Sequence, residues 1–381
     1  MAIIEEIPER KVHIVTGSNT GIGLSIANRL VALSISSKTP SLIVLACRNP
    51  TKASAAKKEL VESAIKQFGK KLVDEWVEVG VVQVNLSDAK QVLEAAKEIK
   101  ERFTRIDSLI FNAGMLPVHH VAYWHAIKAA IKNPSQFSKI AGGEAIVQRV
   151  GDVTKDAFQF GETFAANFLG HYILLRELES VLEGTARLIK GEKGGLSGSG
   201  SIKEDGPRVV WTTSDTADRE LFDESDPQCL KGASPYESSK RLIELIHSET
   251  AGDLKRKGIY SVLSNPGISA TEMSGAPILL TMIFLYILRF FGLAGVCISP
   301  WNASRASAYA AMEVKNASEL SVDTVYQSDV SIWGESRIRM LKFKKDGIKE
   351  CNGDVCSLGV DVKVLRREMD ELVERVRKAS L

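Results

Sequence analysis

Tyr236 and Lys240 stand four residues apart in the run Pro-Tyr-Glu-Ser-Ser-Lys. On a helix that spacing puts a phenol and an ammonium on one face. A phenol ordinarily ionises at about pH 10, too high for proton traffic at neutral pH. A neighbouring ammonium favours the phenolate and lowers that value. A phenol tuned in this way can give a proton to a developing alkoxide while hydride arrives from a nicotinamide. Alone, the pair is also what a surface helix with an unrelated Tyr and Lys would show. Its meaning depends on what else the chain carries.

Residues 16–23 read Thr-Gly-Ser-Asn-Thr-Gly-Ile-Gly. Residues 12–15 form an apolar run before them, and residues 24–33 place apolar side chains at helical spacing. Strand, glycine turn and helix is the context of a dinucleotide-binding turn. Gly17 suits the tight turn, Gly21 lets the backbone approach a pyrophosphate, and Gly23 lets helix pack on strand. Ser18 and Ile22 lie in the same turn and count with the glycines as cofactor-binding. The helix start offers free N–H groups and a positive dipole end to phosphate. The spacing is Gly-x3-Gly-x-Gly, which is a weak signal without further support.

Strands are expected at 41–47, 79–84, 107–111, 208–212 and 260–264, and a last one at 324–327. Helices are expected at 51–68, 90–103, 158–182, within 234–257, at 303–312 and at 364–379, with a short one at 124–131. The 158–182 helix is expected to end near Gly184. Strands alternating with helices argue an α/β fold with a single Rossmann-type doubly wound parallel sheet and helices on both faces. Residues 1–335 are expected to form that domain. It carries an insertion at 115–150, a disordered insertion at 184–207 whose 191–206 portion is rich in Gly, Ser and Lys, and an apolar segment at 278–298. Residues 336–381 read as a C-terminal extension with a charged helix.

The chain has 381 residues, 44% of them apolar, enough for a full core. Lys and Arg number 49 against 47 Asp and Glu, a net charge of +2. That gives no basic surplus of the kind nucleic acid requires. Five cysteines, Cys47, Cys229, Cys297, Cys351 and Cys356, are scattered without a His to complete a zinc set. Reduced structural thiols and no metal are expected. The acidic N-terminus, with Glu5, Glu6 and Glu9, does not read as a secretory signal.

Asn112-Ala113-Gly114 follows the fourth strand, Ser214 follows the fifth, and Tyr236 and Lys240 open the next helix. All stand at C-terminal strand ends, where such sheets bind ligands. In this order the motifs resemble the short-chain dehydrogenase/reductase family over about residues 10–330. The resemblance implies that Gly17, Gly21 and Gly23 form the phosphate turn. It implies that Asn112, Ala113 and Gly114 steady the sheet near the cofactor. Ser214 would hydrogen-bond the substrate carbonyl, and Tyr236 would be the acid–base. Lys240 would hold the nicotinamide ribose and tune Tyr236, and Asn167 would order a proton-relay water. Pro266-Gly267 would form the turn beside the nicotinamide. Two departures stand out. Ser214 and Tyr236 are unusually far apart, so residues 221–232 must loop out. Asn85 stands where many members have an Asp that touches the adenine.

The second strand ends in Leu-Ala-Cys-Arg-Asn. Arg48 stands where an NAD enzyme wants a carboxylate, and a guanidinium can pair with a 2′-phosphate instead. NADPH and reduction are therefore expected. Further runs, among them Phe168-Leu-Gly-His-Tyr-Ile-Leu174, Trp211-Thr-Thr-Ser214 and Leu288-Arg-Phe-Phe291, resemble the 3-keto-steroid reductases of sterol biosynthesis, in their fungal form. The resemblance implies reduction of a C3 sterol ketone in C4-demethylation, with residues 115–150 and 268–298 lining an apolar pocket. The alternatives are reduction of another lipophilic carbonyl, such as a 17-ketosteroid or a retinal, and a non-catalytic scaffold among sterol-synthesis enzymes. Residues 278–298 are long enough to span a bilayer, with Arg289 near the middle. They are expected to lie in one leaflet, on the cytosolic face of the endoplasmic reticulum or on a lipid droplet. A core helix of a soluble enzyme is the alternative.

Overall fold

The computed structural model describes residues 10–121, 146–194, 205–269, 295–343 and 359–380, with isolated positions within 282–289 and 345–356. Seven parallel strands are β1 (Lys11–Thr16), β2 (Ser41–Cys47), β3 (Val77–Gln83), β4 (Ser108–Phe111), β5 (Arg208–Thr212), β6 (Tyr260–Asn265) and β7 (Thr324–Val330). They lie in the order β3-β2-β1-β4-β5-β6-β7, and β8 (Ser336–Lys342) adds antiparallel to β7.

Successive residues of a strand point to opposite faces. Ile14, Leu109 and Val209 join one buried cluster, and their neighbours Val15, Ile110 and Val210 join the other. Central strands are therefore apolar throughout rather than alternating. The helices α1 (Gly21–Ser36), α2 (Pro50–Phe68) and α3 (Lys70–Trp76) cover the second face. The first is covered by α4 (Ala89–Arg102), α5 (Gly170–Gly194), α6 (Pro235–Arg256) and α7 (Val362–Ala379). Strand order reverses between β1 and β4, which opens a crevice at their C-terminal ends.

Three expectations change. The helix expected over 158–182 begins later, with a helical turn at Glu162–Phe164 and a π-turn at Ala165–Leu169 that leads into α5. It runs through Gly184 to Gly194. Thr185, Ala186 and Ile189 are buried beyond the glycine, and the Thr185 hydroxyl accepts the Ile106 N–H at 2.9 Å. Docking overrides a glycine cost of about 1 kcal/mol. The first part of the 184–207 insertion is thus helical, and 195–204 lies outside the described residues. The stretch at 303–312 is not one helix: it divides into Pro300–Ala303, Arg305–Ala308 and a π-turn at Tyr309–Glu313. The strand at 324–327 is not the last, since β8 follows it. The expected helix at 124–131 lies outside the described residues, as do most positions of 278–298.

Residues after 335 pack on the same core. Val362, Leu365, Met369, Val373 and Val376 form one buried stripe of α7. Around it Arg366 pairs with Asp253 at 2.6 Å, Arg377 with Glu177 at 2.6 Å, and the Tyr172 hydroxyl donates to Asp370 at 2.7 Å. Met369 is 1% exposed. Met369→Ala is expected to lower the unfolding free energy by about 2–5 kcal/mol. A urea titration measures it, and an unmoved midpoint would show that α7 adds nothing to the fold.

Candidate active site

The glycine turn is built for close approach. Gly17 sits at φ +65°, and a Cβ there would meet Ala113 at 2.9 Å. A Cβ on Gly23 would meet the Gly17 carbonyl at 2.3 Å and the Asn112 amide at 2.6 Å. Gly21, at φ +57°, faces open space: a Cβ there would touch nothing within 4 Å. The α1 N-cap, Thr20, makes no side-chain cap bond. Bare N–H groups around an open glycine fit a pyrophosphate. Ser18 turns inward, its hydroxyl donating to the Val15 carbonyl at 2.8 Å, so only its backbone can face a ligand. Ile22 is half-buried against Cys297, Ala303 and Val330.

The Asn112-Ala113-Gly114 turn hangs on Thr16. The Asn112 and Ala113 N–H groups both donate to the Thr16 hydroxyl at 3.0 Å. The Asn112 amide donates to the Thr16 carbonyl at 3.0 Å. The Thr16 hydroxyl also meets His171 Nε2 at 2.9 Å. His171 Nδ1 lies 3.1 Å from the Asn167 carbonyl, which can only accept, so Nδ1 carries the proton and Nε2 accepts from Thr16. Burial pushes His171 down to about 3, which keeps the ring neutral.

Asn167, fully buried in the π-turn, accepts the Met115 N–H at 2.7 Å. Its NH2 donates to the Met115 carbonyl at 3.1 Å and to Ser239 Oγ at 3.0 Å. Both amide hydrogens are spent, so this side chain clamps the strand-end turn to α6. The Ser239 hydroxyl donates in turn to the Tyr236 carbonyl at 2.6 Å. A Cβ on Gly114 would lie 3.3 Å from Asn167 Oδ1 and 3.8 Å from Lys240 Nζ, so these groups converge there.

Lys240 is 3% exposed, and its Nζ donates to the Thr212 carbonyl at 2.8 Å. That nitrogen stands 5.6 Å from the Tyr236 ring centre. Burial lowers Lys240 to about 8. Tyr236 moves opposite to the sequence expectation. Loss of solvent around the phenol pushes it up to about 12, Glu237 and Asp215 add to that, and the Ser214 hydrogen bond only partly offsets it. Desolvation decides the direction, and the Lys240 ammonium, directed at the Thr212 carbonyl, does not reverse it. A phenol held in its protonated form is a proton donor at neutral pH, which suits reduction.

Ser214 lies two residues beyond β5 and contacts the Thr216 hydroxyl at 3.0 Å. The expected excursion before Tyr236 is present. A 3₁₀ turn at Arg219–Leu221 leads into a loop wound around Asp226, which accepts the N–H groups of Leu230 at 3.0 Å and Lys231 at 2.8 Å. Gly267, at φ +66°, donates its N–H to Asn265 Oδ1 at 2.9 Å and passes close to the Gly295 carbonyl, forming the turn after Pro266. Asn85 folds onto its own chain, accepting the Ser87 N–H at 3.3 Å.

Thr16, His171 and Gln148 escaped the sequence reading as site residues. Gln148 accepts the Tyr236 N–H at 2.9 Å from a strand, Ile146–Gln148, that pairs with Val118–Val121. The only signal for Thr16 was its place just before Gly17. A cavity of about 320 Å³ lies elsewhere, between α5, α6 and α7, lined by Tyr172, Arg176, Asp253 and Arg366. Its cations pair with its carboxylates, so it is not a second anion site.

Arg48 is exposed just beyond β2 and makes no ion pair among the described residues, while Asn49 caps α2 by accepting the Lys52 N–H at 2.9 Å. Its guanidinium is therefore free for a 2′-phosphate. Arg48→Ala is expected to weaken NADPH binding about 10–100-fold, the worth of a charge-assisted bond, with little change for NADH. Titration with both cofactors checks this, and equal losses would remove Arg48 as the selector.

Residues 11–132 match the family model described as short chain dehydrogenase. A rat protein named 3-keto-steroid reductase/17-beta-hydroxysteroid dehydrogenase 7 is 31% identical, over 78% of this chain and 80% of its own. Its human counterpart is 30% identical over 78% of each. A Schizosaccharomyces pombe protein named 3-keto-steroid reductase erg27 is 28% identical, over 80% of this chain and 82% of its own. Among solved structures, a Brucella melitensis 3-ketoacyl-(acyl-carrier-protein) reductase shares the fold. It has a TM-score of 0.51 at 17% identity and covers 83% of this chain and 95% of its own. The strand order, the glycine turn, the convergent Ser214, Tyr236 and Lys240 and likeness of this extent agree, and the chain belongs to the short-chain dehydrogenase/reductase family.

Proposed function

We propose that the protein reduces the C3 ketone of a sterol intermediate to the 3β-alcohol, with NADPH as hydride donor, at the C4-demethylation stage of sterol biosynthesis. The convergence of Ser214, Tyr236 and Lys240 beside the glycine turn supports this most directly, together with relatives named 3-keto-steroid reductase. The bound cofactor supplies the hydride. Ser214 polarises the ketone by donating a hydrogen bond to its oxygen. Tyr236 holds a proton in reach of that oxygen and releases it as negative charge develops. Lys240 orients the cofactor ribose, and its charge stabilises the phenolate left on Tyr236. Asn167 keeps Gly114, Met115 and α6 in register, and any ordered water would meet its remaining lone pair. Gly17, Gly21 and Gly23 hold the pyrophosphate, Arg48 the 2′-phosphate, and Pro266-Gly267 the nicotinamide edge.

The segment around and after Gln148 keeps apolar groups open: Val147, Val150 and Val153 are all exposed. A sterol needs such a wall with few polar anchors. A 17-ketosteroid is the second substrate to test, since the rat and human relatives carry a 17-beta-hydroxysteroid dehydrogenase name. NADPH oxidation with a panel of 3-ketosterols and 17-ketosteroids, followed by product identification, decides between them. Tyr236→Phe is expected to cut kcat roughly 10²–10⁴-fold with NADPH binding nearly unchanged. Near-normal turnover would remove Tyr236 as the acid.

We further propose that the enzyme works at a membrane, on the cytosolic face of the endoplasmic reticulum or on a lipid droplet, beside other sterol-synthesis enzymes. No helix among the described residues is long and apolar enough to cross a membrane. β7 pairs with β6, so a single crossing within 278–298 would split one sheet across a bilayer. A segment lying in one leaflet avoids this. Trp333 supports the reading: it is 86% exposed at the tip between β7 and β8, beside Ile332 at 55%. The Arg289 guanidinium approaches Gly334 at that tip and lies 5.9 Å from the ring centre of Tyr286, itself 55% exposed. Aromatic and basic groups together suit a lipid interface. The full chain is expected to float with lipid vesicles, and failure to do so in low salt would overturn the membrane reading.

A further inference from the structure

Helix α6 begins with an unmet need. The first N–H groups of a helix have no partner within it. The N-cap, Ser234, makes no side-chain cap bond, and Pro235 has no N–H. The first donor is therefore the N–H of Tyr236, the proposed acid. Its partner comes from 88 residues away: Gln148 Oε1, at 2.9 Å. The cap is supplied by a strand rather than by the helix's own leading residue.

That contact fixes which way the Gln148 amide points. A backbone N–H can only donate, so the amide oxygen faces Tyr236 and the NH2 faces away. Gln148 Nε2 then donates to Glu237 Oε2 at 2.6 Å. Gln148 is 6% exposed and Glu237 is fully buried. The other carboxyl oxygen, Glu237 Oε1, is buried with no hydrogen-bond partner among the described residues. A bare carboxylate oxygen in that place would be costly, and burial pushes the Glu237 carboxyl up, towards its neutral form. A charge there would also raise Tyr236, making it a weaker acid. The groups that feel Glu237 are Gln148, Tyr236 and the buried Cys229 thiol.

Tyr236 is thus gripped at both peptide groups: Gln148 takes its N–H, and the Ser239 hydroxyl donates to its carbonyl. We propose that Gln148 is a positioning residue for the reaction, capping α6 from the adjoining strand and, through its bond to Glu237, holding the Tyr236 hydroxyl in register with Ser214. The inference rests on Tyr236 being the acid. It also couples the wall of the substrate side to the proton donor, since Val147 and Gln148 are neighbours on one strand.

The test uses full-length enzyme, NADPH and a 3-ketosterol. Gln148→Leu keeps the volume and removes both bonds. It is expected to lower kcat about 10–100-fold, the scale of a small misplacement of a reacting group. KM and NADPH affinity should stay within about twofold of the parent, as for a group acting on the transition state alone. Gln148→Glu keeps an acceptor for the Tyr236 N–H but can donate to Glu237 only when protonated. It is expected to recover turnover at about pH 6 and lose it by about pH 9, as a buried charge appears beside Glu237 and Tyr236. A Gln148→Leu enzyme with parental kcat, beside an inactive Tyr236→Phe, would overturn the positioning role alone. An active Tyr236→Phe would overturn the reading beneath it. If Gln148→Leu fails to fold, Gln148→Glu still decides, because a pH profile matching the parent would overturn the role.

Discussion

At the C-terminal end of β4 the peptide N–H groups of Asn112 and Ala113 both donate to one hydroxyl, Thr16, the Asn112 N–H sharing its hydrogen with the Ile110 carbonyl at 3.2 Å. Unpaired donors are costly when buried, so this is a constraint on the fold rather than an ornament of it. The same hydroxyl donates to His171, whose other nitrogen donates to the Asn167 carbonyl. From Asn167 the bonds continue through Ser239 to Tyr236. β1, β4, α5 and α6 are therefore tied by a single chain of neutral hydrogen bonds. It ends at Tyr236, the proposed proton donor, and passes the Asn112-Ala113-Gly114 turn on the way.

The network stays neutral because burial makes it so. His171 is pushed far below its ordinary range and Tyr236 is raised to about 12, while Lys240 beside them, pulled down to about 8, still carries its proton at neutral pH. Each shift favours the uncharged form, as desolvation requires. An acid raised in this way keeps its proton until charge develops on the substrate oxygen, where release is useful. The cost falls on Lys240, whose ammonium is compensated by the Thr212 carbonyl.

The outer parts of the chain serve the same centre by packing. α7 lays one apolar stripe over α5 and α6, and β8 completes the sheet beside β7. The ion pairs around α7 are partly exposed, and such pairs stabilise weakly. The buried stripe is the larger contribution.

The sequence by itself determined the parallel strands and named the residues that the fold brings together at their C-terminal ends. β2 and β5 stand at 41–47 and 208–212, because runs apolar on both faces permit little else. Gly17, Gly23, Asn112, Ser214, Tyr236 and Lys240 could be read because their identities are imposed by local backbone needs or by chemistry. What lay in contacts between distant residues could not be read. α5 runs past Gly184 because Thr185 meets the Ile106 N–H. β8 exists because β7 offers it an edge, its own sequence being charged and half exposed. The direction of the Tyr236 shift depends on how much solvent the fold removes, which spacing to Lys240 does not reveal. The cap on α6 comes from a strand far away in the chain, and only tertiary structure could bring Gln148 to it.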